Sequence, residues 1–312
     1  MVNSWLVVSH ISKKSEEEEF KKIFSKAQKQ LSENTDIYII HIRGHKQGKV
    51  IHITQKEYVT KAFNKLEMSQ TKWCKLMINY VLKSAKPICM TYYGHGGGLV
   101  VGPWYKPLMS LKKFNELFIE KVKPMLIGFD SCYLGSIVSL YEIAKNAKYA
   151  LASPSWHPYT SISSMKHFGN IPEYTAKNKA EVFKKYASDI AEEFSMVKNN
   201  PKYTCLVAFD LRNLDKAVKK VTNLTFTREQ NLNLHDGDQY DLVASVNEEA
   251  KQDFRKAVIY KNKCPKTING ISVSYQNIGN IWDTFFKKSK WGNYTLRKVK
   301  THHVDDPKAK KY

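Results

Sequence analysis

Apolar and polar positions along the 312-residue chain fall into two alternating rhythms. Trp5 to Ile11 is a short, largely apolar and β-branched run that predicts a buried strand. Ser15 and the glutamates after it predict an N-cap and an acidic first turn for a helix reaching about Leu31. Asp36 to Ile42 (DIYIIHI) predicts a second strand, bounded by a turn at Gly44 to Gly48. Val50 to Thr54 reads as a short paired strand, and Glu57 to Val81 carries a helical period. Pro87 to Tyr93 predicts a buried strand that runs into the glycine loop Gly94-His95-Gly96-Gly97-Gly98. A helix at Leu111 to Val122, a strand at Pro124 to Cys132, a helix at Leu134 to Ala147 and a strand at Tyr149 to Ser153 follow. Further on, Ala176 to Val197 and Asn213 to Val221 read as helices, while Tyr203 to Asp210 and Gly270 to Tyr275 read as strands.

Strand and helix alternating in this way predict an α/β fold with a mostly parallel sheet flanked by helices. The expected layout is a core over residues 1–175 and a smaller α/β extension over 176–300. That extension either completes the same domain or forms a small subdomain. Residues 301–312 (THHVDDPKAKKY) read as a basic disordered tail.

Composition narrows the function classes. Lys and Arg number 50 against 29 Asp and Glu, a net charge of +21, so anionic surfaces and nucleic acid would be met non-specifically. The basic residues are spread as pairs such as Lys13-Lys14, Lys219-Lys220 and Lys287-Lys288, a pattern of solvated surface more than of a binding groove. Five cysteines without a CxxC spacing fit neither a zinc knuckle nor a disulfide framework. No apolar run approaches the ~18 residues of a membrane span, and Trp5 to Val8 is too short for a signal-peptide core. An intracellular, cytoplasmic monomer with no metal site and no membrane partner is expected.

The candidate chemistry lies where two predicted strands end. Ligands of doubly wound sheets bind beyond the carboxyl ends of the strands, and consecutive parallel strands usually neighbour each other. His95 and Cys132 would then lie side by side as nucleophile and acid/base. Gly96, lacking a side chain, can offer its N–H to an oxyanion together with the N–H of Cys132. Cys74, Cys89, Cys205 and Cys264 sit in apolar segments and read as inert core thiols. An esterase would need a GxSxG elbow, and a phosphate loop would need GxxxxGK[ST] or GxGxxG; the chain has none of these.

These blocks, Tyr92-Tyr-Gly-His95-Gly-Gly-Gly98 and Ile127-Gly-Phe-Asp130-Ser-Cys132-Tyr-Leu-Gly135, resemble those of the clostripain-like cysteine peptidases, relatives of caspases, metacaspases and gingipains. Ala152-SPSWHPYTS, Thr204-CLVAFDLRNLDKAVKKV, Gln239-YDLVAS and Gly270-ISVSY are similar in order to later pieces of that family. The resemblance implies a caspase-like fold and an endopeptidase in which Cys132 attacks and His95 is the acid/base. It also implies cleavage after Arg or Lys, because the family's acidic S1 determinant falls on Asp130. On the residues alone, Asp130 serves equally well as a cap for the helix after Cys132. Ser153 and Trp156 fall in the segment bordering the substrate cleft, where Ser153-Pro154-Ser155 replaces an acidic residue common in the family. Autoprocessing is expected near Lys106, Lys112 and Lys113. No cofactor is required, and calcium is a candidate activator, although Asp236-Gly-Asp238-Gln-Tyr-Asp241 departs from an EF-hand loop. The alternative is a catalytically silent relative that serves as a basic binding module for protein or nucleic acid.

Overall fold

The computed structural model describes residues 3–11, 14–43, 47–64, 70–102, 109–155, 157, 171–195, 206–226, 239–261, 269–274, 288–291, 294, 298 and 300–303. The chain opens with β1 (Asn3–Ile11), α1 (Lys14–Gln30), β2 (Thr35–Arg43), β3 (Gln47–Ile53), β4 (Tyr58–Asn64) and α2 (Gln70–Ser84). Next come β5 (Pro87–Tyr93), three short strands β6 (His95–Gly96), β7 (Val100–Gly102) and β8 (Met109–Ser110), and α3 (Leu111–Phe114). The latter continues through a π-helical stretch, Asn115–Ile119, into α4 (Glu120–Val122), followed by β9 (Leu126–Asp130), α5 (Ile137–Ile143), β10 (Tyr149–Ala152) and α6 (Lys179–Ser195). The remainder is β11 (Val207–Asp210), α7 (Leu211–Val218), β12 (Asn223–Phe226), β13 (Gln239–Asp241), α8 (Leu242–Ser245), α9 (Glu248–Ala257), β14 (Val258–Lys261), β15 (Ser272–Ser274) and β16 (Lys300–His303).

Nine strands form one sheet in the order β14-β11-β10-β9-β5-β1-β2-β3-β4. Its centre, β10-β9-β5-β1-β2, is parallel throughout, and antiparallel wings close both sides. The fold is thus the mixed, mostly parallel α/β sheet flanked by helices that the alternation predicted. The parallel strands read as continuous apolar runs because both of their faces are covered. Leu6, Val8, Tyr38, Ile40, Met90, Tyr92, Ile127 and Phe129 face a layer that includes α2, α3, α5, α7 and α9. Trp5, Val7, Ile37, Ile39, Cys89 and Leu151 face α1 and α6 on the other side. Trp73, Cys74, Met77, Ile78 and Val81 bury one stripe of α2 at helical spacing. Gly48 is where Trp73 lands: a Cβ there would sit 2.0 Å from the indole ring.

Several expectations need correction. Residues 57–81 are not one helix: Tyr58–Asn64 pairs antiparallel with β3, and the helix starts at Gln70. Tyr58, Val59 and Thr60 have aromatic and β-branched side chains suited to the pleated edge, and the helical period came from α2 alone. Ser15 lies inside α1 rather than capping it. The placing of β11 and β14 in the central sheet is one of the two layouts left open for residues 176–300. The tail expected to be disordered from residue 301 is a strand as far as His303, paired with β12, and residues 304–312 lie outside the described residues. Among the described residues no helix is long and apolar enough to cross a membrane.

Candidate active site

The parallel pairing of β5 with β9 sets Tyr93 opposite Asp130, so the glycine loop and the Cys132 turn leave the sheet from adjacent strand ends. Gly94 N–H bonds to Asp130 O at 3.4 Å just beyond the last pair. His95 and Gly96 then pair antiparallel with Gly102 and Val101, and β8 adds a third strand to this small ribbon.

The ribbon is pinned from beneath by Tyr92. Its hydroxyl donates to His95 O at 3.0 Å and accepts Gly102 N–H at 2.7 Å, bonding both strands that flank the loop. Burial pushes that hydroxyl well above its ordinary pKa, so it stays a donor. The ring is held by Phe114 at 5.0 Å and His10 at 5.8 Å. Nothing in the sequence marked Tyr92 as more than a strand residue, but a tyrosine in a wholly buried strand must find a partner for its hydroxyl.

The ribbon meets the Cys132 turn through Gly96. A Cβ at Gly96 would stand 2.3 Å from Ser131 Oγ and 2.8 Å from Cys132 O, so only glycine fits. Gly98 adopts φ +72, and its carbonyl accepts Ser139 Oγ at 2.5 Å. These contacts bring the His95-bearing loop and the Cys132-bearing turn together. The turn itself is strained: Tyr133 holds φ 60, a left-handed conformation uncommon for an aromatic residue.

A third segment closes against this turn. Tyr133 N–H bonds to Ser155 O at 2.9 Å and Gly135 N–H to Ser153 O at 2.7 Å. Ser272 Oγ donates to Pro154 O at 3.0 Å, so β15 braces the loop from behind. The Cys132 thiol is half-buried; it receives His157 N–H at 3.3 Å and lies 3.4 Å from His157 O. The imidazole of His157 stacks on Phe194 at 5.3 Å and places Nε2 3.8 Å from Asp130 Oδ1, both side chains buried. The local sequence around His157 gives no sign of this position.

The predicted site residues are therefore distributed as follows. His95, Gly96, Asp130 and Cys132 converge at the ends of β5 and β9. Asp130 does not cap the following helix: α5 has Ser136 as its N-cap and begins at Ile137, not at Leu134. Ser153 is fully buried and turned into its own loop, with its hydroxyl 3.1 Å from Ser155 O. Trp156 and Lys106 lie outside the described residues. Lys112 and Lys113 sit in the first turn of α3, where Ser110 Oγ accepts Lys113 N–H at 3.1 Å. Cys74 and Cys89 are buried core thiols; burial pushes Cys74 up to about 12 and Cys89 well above its ordinary value. Cys205 and Cys264 lie outside the described residues. So do Asp236 and Asp238. Asp241 caps α8, accepting Val243 N–H at 3.0 Å and Asn269 N–H at 2.6 Å. Among the described residues no three His, Cys, Asp or Glu side chains converge as for a metal ion.

A model of the clostripain family matches residues 105–288, more than half of the chain. The chain belongs to the clostripain family. It is a cysteine peptidase, and Cys132 and Asp130 fall inside the matched span while His95 lies just upstream of it. Solved structures of similar fold include a secreted C11 cysteine protease from Bacteroides thetaiotaomicron, "iotapain", at TM-score 0.67 and 13% identity over 94% of this peptidase and 99% of that chain. A secreted C11 cysteine protease from Bacteroides thetaiotaomicron in complex with an irreversible peptide inhibitor matches at TM-score 0.64, 13% identity and the same coverage. An inactive zymogen C11 protease from Parabacteroides distasonis matches at 0.65 and 14% identity, over 94% and 97%. At such identities these likenesses carry the fold alone. Among curated proteins no sequence match reaches significance.

Proposed function

We propose that this clostripain-family peptidase cleaves peptide bonds after Arg or Lys by a Cys132–His95 dyad through an acyl-enzyme. The observation that carries the reading is the seat of Gly96 against Cys132 O, which joins the two strand ends that bear the thiol and the imidazole.

In the first half of the reaction the Cys132 thiol gives its proton to His95 and the sulfur attacks the scissile carbonyl carbon. The carbonyl oxygen becomes an oxyanion facing the N–H groups of Gly96 and Cys132, each such donor worth about 3 kcal/mol in acyl transfer. The C–N bond then breaks as His95 gives its proton to the departing amine, leaving a thioester on Cys132. In the second half His95 takes a proton from water, which attacks the thioester; the C–S bond breaks to release the acid, and His95 returns the proton to the Cys132 sulfur.

For the substrate side chain, Asp130 is the carboxylate nearest the nucleophile along the chain. A guanidinium or ammonium at P1 would pair with it, a charged hydrogen bond worth about 1.5–3 kcal/mol. Its 3.8 Å approach to His157 keeps its side chain at the Cys132 turn rather than at a helix cap. For autoprocessing Lys106 is favoured over Lys112 and Lys113, whose backbone is committed to the first turn of α3. Free thiols at Cys74, Cys89 and Cys132 agree with a reducing, intracellular setting.

The test is hydrolysis of peptides differing only at P1 (Arg, Lys, Asp, Asn, Ala), by wild type and Cys132→Ala, with and without calcium. Turnover of Arg or Lys peptides that vanishes in the variant is expected. Turnover of the acidic or neutral peptides instead would remove Asp130 from the reading while leaving the dyad. Fragmentation of Cys132→Ala identical to wild type would exclude autoprocessing.

A further inference from the structure

Away from the active site, a cavity of about 450 Å³ is lined by five lysines, Lys112, Lys145, Lys288, Lys290 and Lys298, together with Tyr141, Tyr294 and one carboxylate, Asp215. We propose that this cavity binds a small soluble polyanion carrying several phosphate or sulfate groups.

The argument begins with charge. Five ammonium groups from three separate stretches of chain are gathered around one concavity. Three carboxylates lie nearby, fewer than the five ammonium groups, and two of them are partly engaged while Glu120 makes no ion pair among the described residues. Asp215 Oδ2 is held by Lys219 at 2.7 Å, and Glu142 accepts Lys290 N–H at 3.1 Å on Oε2. Lys290 Nζ bonds to Glu142 O and lies 3.8 Å from Oε1. Among the described residues Lys112, Lys145, Lys288 and Lys298 make no ion pair with a carboxylate. Burial, aided by Lys145 and Lys112, holds the Lys290 ammonium below the ordinary lysine range against the pull of Glu142 and Glu120. Like charges in excess of the carboxylates around them raise the local potential, and a multivalent anion relieves it.

Shape selects the size of the ligand. The site is an open depression of limited extent, whereas a nucleic-acid strand needs an extended basic groove with exposed rings on which bases stack. The ring of Tyr294 is already stacked at 6.2 Å on Trp291, itself buried, and its hydroxyl donates to Val221 O at 3.2 Å. The Tyr141 hydroxyl, raised above its ordinary pKa first by burial, remains a donor for an anion. Tyr141 lies in α5, the helix that follows the Cys132 turn, and Lys145 lies just beyond its end. One short helix thus runs from the reactive turn to the basic cavity.

The full chain is titrated calorimetrically with inorganic tripolyphosphate at an ionic strength of about 0.15 M, where diffuse surface attraction is screened. One site is expected, with a rise in thermal midpoint that follows ligand occupancy. Lys145→Gln/Lys288→Gln should weaken binding about 100-fold, on the basis of about tenfold per charged hydrogen bond lost. Lys298→Glu should abolish it, and Lys184→Gln, on the exposed face of α6, should leave it unchanged. The unliganded thermal midpoints of these exposed-lysine variants report their folding separately. Three results would overturn the proposal: tripolyphosphate binding no tighter than orthophosphate at equal ionic strength, affinity unmoved in Lys145→Gln/Lys288→Gln, or tighter capture of a short oligonucleotide that Lys184→Gln weakens as much as Lys298→Glu.

Discussion

Tyr92→Phe isolates one hydroxyl on which the position of the proposed general acid depends. The ring stays packed between Phe114 and His10, so no cavity opens. What is lost is the pair of bonds to His95 O and Gly102 N–H, at 3.0 and 2.7 Å. Gly102 is buried, and an orphaned buried N–H costs about 1–3 kcal/mol, whereas His95 O is partly exposed and can turn to water. The three-stranded ribbon then loses its anchor on both sides of the loop. A displacement of about 1 Å in a catalytic group lowers rate by up to ~100-fold. The expected result is a kcat reduced about 10- to 100-fold on a lysyl or arginyl peptide, with little change in KM. Tyr149→Phe supplies the control. Its hydroxyl also has two partners, Ala180 O at 2.8 Å and Arg212 Nη2 at 2.9 Å, but it lies at the amino end of β10. Denaturant unfolding should show comparable stability losses in both variants. If Tyr92→Phe loses stability like Tyr149→Phe and keeps kcat within about twofold, the hydroxyl supports only the fold, and the positioning argument is wrong.

Gly96→Ala should lower kcat by about 100-fold or more, since its methyl would collide with Ser131 Oγ and Cys132 O; wild-type kinetics would show that the ribbon and turn are not in contact in the working enzyme. Asp130→Asn should cut kcat/KM for Arg and Lys peptides about 10- to 150-fold, and an equal loss on alanyl peptides would mean that Asp130 supports the turn and not the substrate. The His10 imidazole is held down to about 3, first by burial and then by His41. The unfolded chain therefore takes up this proton near pH 6.5 while the folded chain does not until about pH 3. Stability is full above pH 6.5 and falls by up to ~1.4 kcal/mol per pH unit below it. His10→Phe should flatten that acid limb in urea melts between pH 6.5 and 4, and an unchanged slope would show that His10 is not the group responsible.

Much of this arrangement is legible in the sequence because strand termini and glycines carry it. β5 and β9 are so uniformly apolar that their ends can be read, and the preference for neighbouring parallel strands then places His95 beside Cys132. Tyr58–Asn64 was not legible in the same way. It lies at the sheet edge, with Tyr58 52% and Val59 50% exposed, so no buried period of two was imposed on it. The start of α5 was read too early because Leu134 is apolar and buried, yet it belongs to a tight turn governed by Tyr133. Ser272 and His157 were illegible for a different reason. Ser272 acts on the site through the loop at Ser153 to Ser155 and His157 touches Cys132 and Asp130 directly, contacts between segments apart in the chain that local patterning does not encode.

This distribution of contacts also explains which changes the site should tolerate. The His95 ribbon, the Cys132 turn and the loop at Ser153 to Ser155 are joined mainly by main-chain groups: Gly94 N–H to Asp130 O, Tyr133 N–H to Ser155 O and Gly135 N–H to Ser153 O. Most side-chain substitutions leave such bonds intact. Adding a Cβ where two backbones touch does not, and Gly96 and Gly135 are both such places, with Gly135 meeting Pro154 N at 2.5 Å. The reactive centre should thus resist changes at Ser131 or Ser153 more readily than a single added methyl at either glycine. Its shape is set by how closely three segments of backbone can approach.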